Sequence, residues 1–549
     1  MKDSLFKEKD SREVSEMRRR KKKRASKAKF IEYNQHQVML LPPSIEEIIP
    51  ERHIVRTVNK VIETMDIKAL IKTYKGGGRS SYDPGMLLKV LVYGYVMKIY
   101  SSRRIAKALR EDVNFMWLSG MQRPDFRTIN NFRSGRLKGV IDQVFSSMII
   151  FLTDKKYIRL EDYFVDGTKI EANANKYSYV FSKSTRRYKD KTNKKIKDLL
   201  KEIERINQEE EEKYGKKDLE EMGEDTEISS EEIEEQIKKL NKIISQIGDN
   251  PEEKKEDKSK KEKKKKIKKA VSQIEKKYLP KLRKYEQQER IEGTRSSYSK
   301  TDTDATFFMS KTNQLLPGYN VIIGTEEQII VNYSIHQKAS ETDKFIPHIK
   351  KLKQRTEGKK PKRITADGTY GSDENYEFLK KEKIGSYLKY PGFYQEVTGM
   401  ARKKRFNRIN FIYKEKEDKM YCPEGREMSL WEIEEKTTDN GYRQQIRKYR
   451  GNCSGCKDKS LCTKSPWGRT VQINKKLEKY KQITRENLSS PLGIELRKKR
   501  NVDVETVFGD IKHNQGFRRF NLRGLEKVNT EFGLVALAHN IRKVGLMIN

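Results

Sequence analysis

Two short stretches of this chain carry an apolar run into the same three residues. One is Tyr163-Phe164-Val165-Asp166-Gly167-Thr168-Lys169-Ile170, and the other is Arg363-Ile364-Thr365-Ala366-Asp367-Gly368-Thr369-Tyr370. Each reads as a strand that delivers an acid at its core-facing end, Asp166 in the first and Asp367 in the second. The glycine after each acid is expected to let the backbone turn away, so that the carboxylate faces an open rim. A third acid, Glu505, lies in the helical stretch Val502-Asp503-Val504-Glu505-Thr506-Val507-Phe508-Gly509, and Lys512 follows seven residues on, on the same helical face. Carboxylates in this set suit two Mg²⁺ or Mn²⁺ ions, which take oxygen ligands rather than His or Cys. Two such ions about 4 Å apart activate a water and stabilise the leaving oxygen of a phosphodiester. Asp166 then bridges both ions, Asp367 holds one, Glu505 holds the other, and Lys512 contacts a phosphate near the cut. Asp302, Asp304, Asp503 and Asp510 compete for these roles, but none ends a clear apolar strand or holds the helical position facing Lys512.

The bulk composition calls for a polyanionic partner. The 549 residues include 120 Lys and Arg against 80 Asp and Glu, a net charge of +40. The commonest partner of such a field is nucleic acid. Only 34% of residues are hydrophobic and 36% are charged, so cores must alternate with solvated stretches. No apolar run is long enough to span a bilayer, and the first residues lack the apolar core of a secretory signal. Four cysteines in so long a chain make no disulfide framework. The expected compartment is the cytoplasm, bacterial given the richness in Lys, Ile and Asn, with association to the nucleoid.

The elements that must position the acids fall into a defined order. Residues 1–35 form a basic arm containing Arg18-Arg19-Arg20-Lys21-Lys22-Lys23-Arg24, suited to phosphate contact. Residues 36–150 read as an all-helical, helix-turn-helix-like DNA-binding domain. Ser44 and Glu47 form a capping-box pair at its start, and Leu87, Leu88, Leu91, Val92, Tyr95 and Ile99 make a core stripe. Asp125 can cap a helix with Phe126, Ile129 and Phe132 inward and Arg127, Asn130, Asn131, Arg133 and Arg136 outward, a face able to read base edges. Residues 151–549 hold the acids. Within them, 186–290 is a charged coiled-coil insertion with narrow apolar seams such as Ile196, Leu199, Ile203 and Ile206, and Lys254–Lys269 reads as a loose connection or a solvated helix. Strands at 319–324 and 328–335, a helix at 341–353, the Asp367 strand and a helix from Ser372 complete the order expected of an RNase H-like mixed sheet flanked by helices, an α/β fold. A second insertion, 386–480, contains Cys422, Cys453, Cys456 and Cys462, which could supply a tetrahedral zinc site or remain reduced thiols. The last stretch is helical and basic, with Arg518, Arg519 and Arg523 on a cationic loop and an apolar helix over Val535–Val544 that closes on the sheet.

These pieces resemble a DDE transposase of a bacterial insertion sequence, in the group whose third acid sits in a Tyr-x2-Arg-x3-Glu-x6-Lys signature. The two Asp-Gly-Thr strands, the segment Val504 to Lys512, the tail Phe517-Arg518-Arg519-Phe520-Asn521-Leu522-Arg523-Gly524-Leu525 and the N-terminal region from Leu41 to Arg133 carry the likeness. The signature places Tyr at 498 and Arg at 501, where this chain has Lys498 and Asn501, and Arg500 stands one place off. The resemblance implies a cut-and-paste enzyme. Such an enzyme binds terminal inverted repeats of double-stranded DNA through its N-terminal helices and pairs two ends as a homodimer. It hydrolyses the ends with Mg²⁺ or Mn²⁺ and uses the freed 3′-hydroxyls to attack target DNA.

Overall fold

The computed structural model describes residues 44–74, 81–214, 229–246, 258–310, 312–338 and 340–548, so the basic arm lies outside the described residues. The chain divides into two units, Met1–Pro50 and Glu51–Asn549. In the first, a short helix at Ile45–Ile48 is capped by Ser44, whose Oγ accepts from the Glu46 N–H at 3.3 Å. The reciprocal pair expected with Glu47 is replaced by a backbone bond from the Glu47 N–H to the Ser44 carbonyl at 2.9 Å.

The second unit opens with helices α1 (Ile54–Thr64), α2 (Pro84–Val96), α3 (Ser102–Glu111), α4 (Phe126–Asn131) and α5 (Ile141–Asp154). Asp83 accepts from the Met86 N–H at 2.7 Å and Pro84 fills the first turn, which fixes the start of α2. The expected stripe on α2 is in fact wider, with every residue from Met86 to Val96 buried except Lys89, which pairs with Glu63, and with Ile99 left beyond the helix end. Asp125 caps α4 through the Thr128 N–H at 2.7 Å. The helix then continues as a wider π turn, Phe132–Arg136.

The centre is a six-stranded mixed sheet made from β1 (Asp162–Glu171), with β2 (Tyr179–Phe181) and β3 (Ser297–Ser299) set aside as a separate ribbon, then β4 (Thr306–Met309), β5 (Leu315–Glu326), β6 (Ile329–His336), β7 (Arg363–Ala366) and β8 (Gly385–Leu388). Its order is β4-β5-β1-β7-β8, with β6 also paired to β5. β5 runs antiparallel to β1, β4 and β6, while β1, β7 and β8 are mutually parallel. β5 and β6 are buried along nearly their whole length, as expected of a strand pair covered on both faces.

Helices α6 (Ser182–Tyr214), α7 (Ser230–Gln246), α8 (Lys258–Gln273) and α9 (Leu279–Glu292) lie between β2 and β3. With the π turn Ile274–Tyr278 that joins the last two, they bury one shared seam, including Ile196, Ile203, Ile233, Leu240, Ile267 and Ile274. Of the two readings of Lys254–Lys269, a loose connection or a solvated helix, the described part from Lys258 is helical, with Ile267 buried. The bundle has a core of its own, and its two ends meet. β2 pairs with β3, and the Ser182 N–H donates to the Ser296 carbonyl at 3.0 Å.

Beyond the ribbon, α10 (Phe345–Arg355) covers one face of the sheet, where His348 Nε2 meets the buried Tyr163 hydroxyl at 3.0 Å. It begins later than expected, after a single 3-10 turn at Thr342–Lys344. Helix α11 (Asp373–Lys381) is capped by Ser372 through the Asn375 N–H. The cysteine-bearing stretch folds as a five-stranded antiparallel sheet, β9 (Ile412–Lys414), β10 (Lys419–Tyr421), β11 (Glu427–Thr437), β12 (Arg443–Gly451) and β13 (Thr470–Ile473), in the order β13-β12-β11-β10-β9. Helices α12 (Lys475–Ser489) and α13 (Pro491–Arg500) follow, and α14 (Leu525–Ile548) closes the fold. Asn540 of α14 both accepts from and donates to the backbone of Ile330 at 2.8 Å, which locks α14 to β6. Among the described residues no helix is long and apolar enough to cross a membrane.

Because the bundle's ends are already hydrogen-bonded to each other, replacing residues 183–294 by a short Gly/Ser turn should leave the parent sheet folded. Thermal unfolding followed by circular dichroism should show one transition within about 5 °C of the full chain. Loss of the strand signal would mean that the bundle supports the sheet.

Candidate active site

β1 and β7 run side by side with Val165 level with Ala366, so Asp166 and Asp367 stand level one step beyond the last pair. Neighbouring strands lie about 4.8 Å apart. β7 stops at Ala366 and the chain leaves in a 3-10 turn, Gly368–Tyr370, started by the Asp367 carboxylate accepting from the Thr369 N–H at 2.9 Å. β1 runs on along β5 to Glu171. The rim is therefore opened by β7 ending, not by β1 turning. Gly167 is an interior strand residue paired with Ile322, which corrects the expected turn after Asp166.

The third acid arrives on a long helical segment that begins with α13. It widens into π turns at Asn501–Glu505 and Asp510–Asn514, around a short α turn at Thr506–Gly509. Leu496, Val504, Val507 and Ile511 bury its apolar side. Arg500 is only 4% exposed. Its Nη2 lies 3.0 Å from Asp166 Oδ1, and its Nη1 lies 3.0 Å from Glu505 Oε1. One guanidinium thus joins the strand acid to the helix acid, with the planar fork that suits two carboxylates. Burial pushes the Asp166 carboxyl up to about 6, against the pull of Arg500, and the charges of Asp367 and Glu341 add to the rise.

Lys512 reaches β1 as well. Its ammonium donates to Thr168 Oγ1 at 2.5 Å and to the Lys169 carbonyl at 3.0 Å. Thr168 shares a strand face with Asp166, so Glu505 and Lys512 approach the same face of β1. The competing acids are used elsewhere. Asp503 accepts from Thr325 Oγ1 and the Gln328 N–H. Asp510 meets His539 and Arg542. Asp302 accepts from the Tyr319 hydroxyl, and Asp304 caps the start of α14 through the Leu525 N–H. Arg518, Arg519 and Arg523 are exposed on a loop anchored by buried Phe517, Phe520 and Leu522. Arg519 and Arg523 donate to carbonyls just past β1, at Ala172 and Asn173.

Two charged groups at this rim escaped the sequence reading. Lys389, directly after β8, is half-buried. Burial and the nearby Arg500 and Arg497 hold its ammonium below the usual lysine value, opposed by Asp367 and Glu505. Glu341, in the loop before α10, is buried, and its Oε2 accepts from the Tyr370 hydroxyl at 2.9 Å. Neither follows an apolar strand pattern that would mark it in the sequence, though Lys389 is one residue past a strand end.

The basic face expected on α4 is smaller than its sequence suggests. Arg133 is buried, donating to the Tyr100 carbonyl at 2.7 Å and to Asn130 Oδ1 at 3.2 Å, so both residues are engaged inward. Arg136 donates to the Thr73 carbonyl. Arg127 and Asn131 remain exposed. The four cysteines are partly buried free thiols that line one small cavity with Arg426 and Arg469. Among the described residues no group of three His, Cys, Asp or Glu side chains is arranged to hold a metal ion, so the zinc expectation finds no support.

Residues 421–545 match the model of the transposase DDE domain, and residues 43–135 match the transposase domain (DUF772). The first match takes in Arg500, Glu505 and Lys512; Asp166 and Asp367 lie between the two. Both are models of transposase domains, and together they support a DDE transposase of the insertion-sequence type. No curated protein and no solved structure matches the chain.

The raised Asp166 carboxyl makes stability depend on pH. The folded state binds this proton more tightly than the unfolded chain, so the stability is present at low pH and is lost as pH rises from near 3.8 through about 6. The full loss is about 3 kcal/mol. In the absence of divalent cations, Asp166→Asn should match the parent near pH 4 and exceed it in denaturant midpoint at pH 7.5. A variant less stable than the parent at pH 7.5 would contradict this account.

Proposed function

We propose that this transposase binds the terminal inverted repeats of its element, cuts each end by metal-dependent phosphodiester hydrolysis, and joins the freed 3′-hydroxyls to target DNA. The observation that carries the reading is the level placement of Asp166 and Asp367 on neighbouring parallel strands, with Glu505 tied to Asp166 through Arg500. The sheet supports an RNase H-like fold, since β5 is antiparallel to β1 while β7 and β8 continue parallel on its other side.

The donor set at the rim has the chemistry that a hard divalent cation takes, although no three of its carboxylates stand grouped to hold one. It is made of carboxylates, and burial and the neighbouring acids already disfavour the ionised form of Asp166. Arg500 provides positive charge there, between two acids that would otherwise share an ion. Asp166, Asp367 and Glu505 would hold Mg²⁺ or Mn²⁺, which supply an activated water and a stabilised leaving oxygen. Arg500, once released from Asp166 and Glu505, is placed to meet a DNA phosphate, with Lys389 and Arg497 beside it. Lys512 keeps Thr168, and with it the acid-bearing strand, at a fixed distance from the helix. Arg518, Arg519 and Arg523 extend the cationic track along the end of β1. Arg127 and Asn131 on α4 serve as DNA contacts, and pairing of two ends makes the active complex a dimer.

On an oligonucleotide carrying one element end, Asp166→Asn, Asp367→Asn and Glu505→Gln should each lower Mg²⁺-dependent cleavage roughly a hundredfold or more. End binding in a gel-shift assay should persist. Cleavage that survives Asp166→Asn with Mg²⁺ present would sink the reading. Cut ends that never join target DNA would leave a nuclease on the same fold. In the same gel shift, Arg127→Ala should weaken end binding by about 1–3 kcal/mol. Loss of binding on Arg133→Ala should instead be accompanied by a lower melting temperature, because that side chain is internal.

A further inference from the structure

The charge of the helical bundle is laid out by face. On α6, Thr185, Thr192, Ile196, Leu200, Ile203 and Ile206 follow helical spacing and are buried. Half a turn round the same helix stand Lys183, Arg187, Lys191, Lys194, Lys201 and Arg205, all exposed. Their spacing places them in one outward stripe, about 33 Å long at the rise of an α-helix. Asp198 interrupts it once.

This arrangement costs the helix. Like charges one turn apart, as in Lys183–Arg187, Arg187–Lys191 and Lys201–Arg205, repel each other and destabilise it. A helix kept soluble by charge alone gains from mixed signs at that spacing. Mixed pairs do occur between the helices, where Lys189 meets Glu289 at 2.8 Å and Arg283 meets Glu234. Other acids of α9 are engaged inside the bundle, Glu286 by the Ser230 N–H and Glu292 by the Ser182 hydroxyl. Lys183, Arg187, Lys191 and Lys194, by contrast, are paired with no carboxylate among the described residues.

The root of the stripe follows the cationic loop. β1, which carries Asp166, ends at Glu171, and Arg519 and Arg523 hold the carbonyls of Ala172 and Asn173 just beyond it. The chain then passes the exposed Tyr177 and Tyr179 into β2, and α6 starts directly after that strand. Lys183 therefore lies at the root of the bundle, beside the Ser182–Ser296 bond that closes it, and the stripe leads away from the parent sheet.

We propose that this stripe of α6 is a rail for the phosphate backbone of the duplex DNA that flanks the element, and holds it while the end is cut. Lysines and arginines on one straight face meet phosphates and carry no pattern for base edges, which suits DNA whose sequence differs at every insertion site. The stripe spans about one turn of duplex, so both strands cross its line. One stripe for each site matches the one flanking arm that adjoins each end. Phosphates on the stripe would also relieve the repulsion along the helix. The inference rests on the end-binding reading given above and does not involve the metal.

The test is fluorescence anisotropy of the full-length protein, without divalent cations so that nothing is cut. Two labelled duplexes are compared: an element end that stops flush at the cleavage point, and the same end continued by about two turns of flanking duplex. The parent should bind the flanked duplex more tightly and with a steeper dependence on salt. The fourfold change Lys183→Ala, Arg187→Ala, Lys191→Ala and Lys194→Ala should weaken binding of the flanked duplex roughly tenfold or more and lower the salt slope by about three to four. Its binding to the flush duplex should match the parent's. Alanine favours the helix at exposed positions, and circular dichroism checks the fold; should the fourfold variant not fold, Arg187→Ala with Lys191→Ala takes its place, with about half the change in slope. The charge-keeping set Lys183→Arg, Arg187→Lys, Lys191→Arg and Lys194→Arg should behave as the parent. A parent that binds both duplexes alike, or an alanine variant that keeps the preference for the flanked one, overturns the proposal. Equal weakening on both duplexes also overturns it, because the stripe would then lie against the element's own DNA. A parent that fails to bind even the flush duplex fails the end-binding reading itself, and the proposal with it.

Discussion

Acidic side chains set close together on a half-buried rim repel one another, and water cannot fully screen them. The fold answers this with a guanidinium that is itself almost completely enclosed. Arg500 reaches Asp166 on the sheet and Glu505 on the helix at the same distance, 3.0 Å. Everything that fixes the rim also fixes Arg500, since the side chain has no solvent into which to retreat. The burial of Leu496, Val504 and Val507 sets the helix down on β1, and the guanidinium bridges the remaining gap.

Acids that do no chemistry carry much of this support. Asp503, two residues from Glu505, ties the same helical segment to the β5–β6 hairpin through Thr325 and the Gln328 N–H. Asp510 meets His539 and Arg542, which joins the segment to α14. Glu531, buried in α14, accepts from the backbone of Asn521 and Leu522 and so pins the loop that bears Arg518, Arg519 and Arg523. A chain with a net charge of +40 therefore uses its buried carboxylates as internal fasteners, and the excess of cations is left for the outside.

Much of the sheet could be read from the residues because its strands are apolar runs ended by marked turns. Tyr163-Phe164-Val165 and Ile364-Thr365-Ala366 are of this kind, as are the strands of the β5–β6 hairpin. The seams of the helical bundle were equally visible, because isoleucines stand out among lysines. The sheet over Ile412–Ile473 was not. β11 has only Met428 fully buried and carries charge along both faces, so no alternation announces it. Arg133 was misread for a related reason. An arginine on a polar helix face looks solvated, and only the fold reveals that Tyr95 and Tyr100 enclose it. Arg500 did not fit the expected spacing because the helix is not a regular one there. Glu341 sits in a polar loop with no apolar run before it, and its carboxylate rests against a glycine 174 residues away.

The two π turns that flank Thr506–Gly509 have a mechanical meaning for this site. Each wide turn holds one residue more than the regular spiral needs and satisfies its backbone less well. Each extra residue turns the positions after it back about the axis, so the wide turns set which way Glu505 and Lys512 face while Leu496, Val504, Val507 and Ile511 stay seated. Wound as a regular spiral, the same residues would aim their acid and their lysine elsewhere.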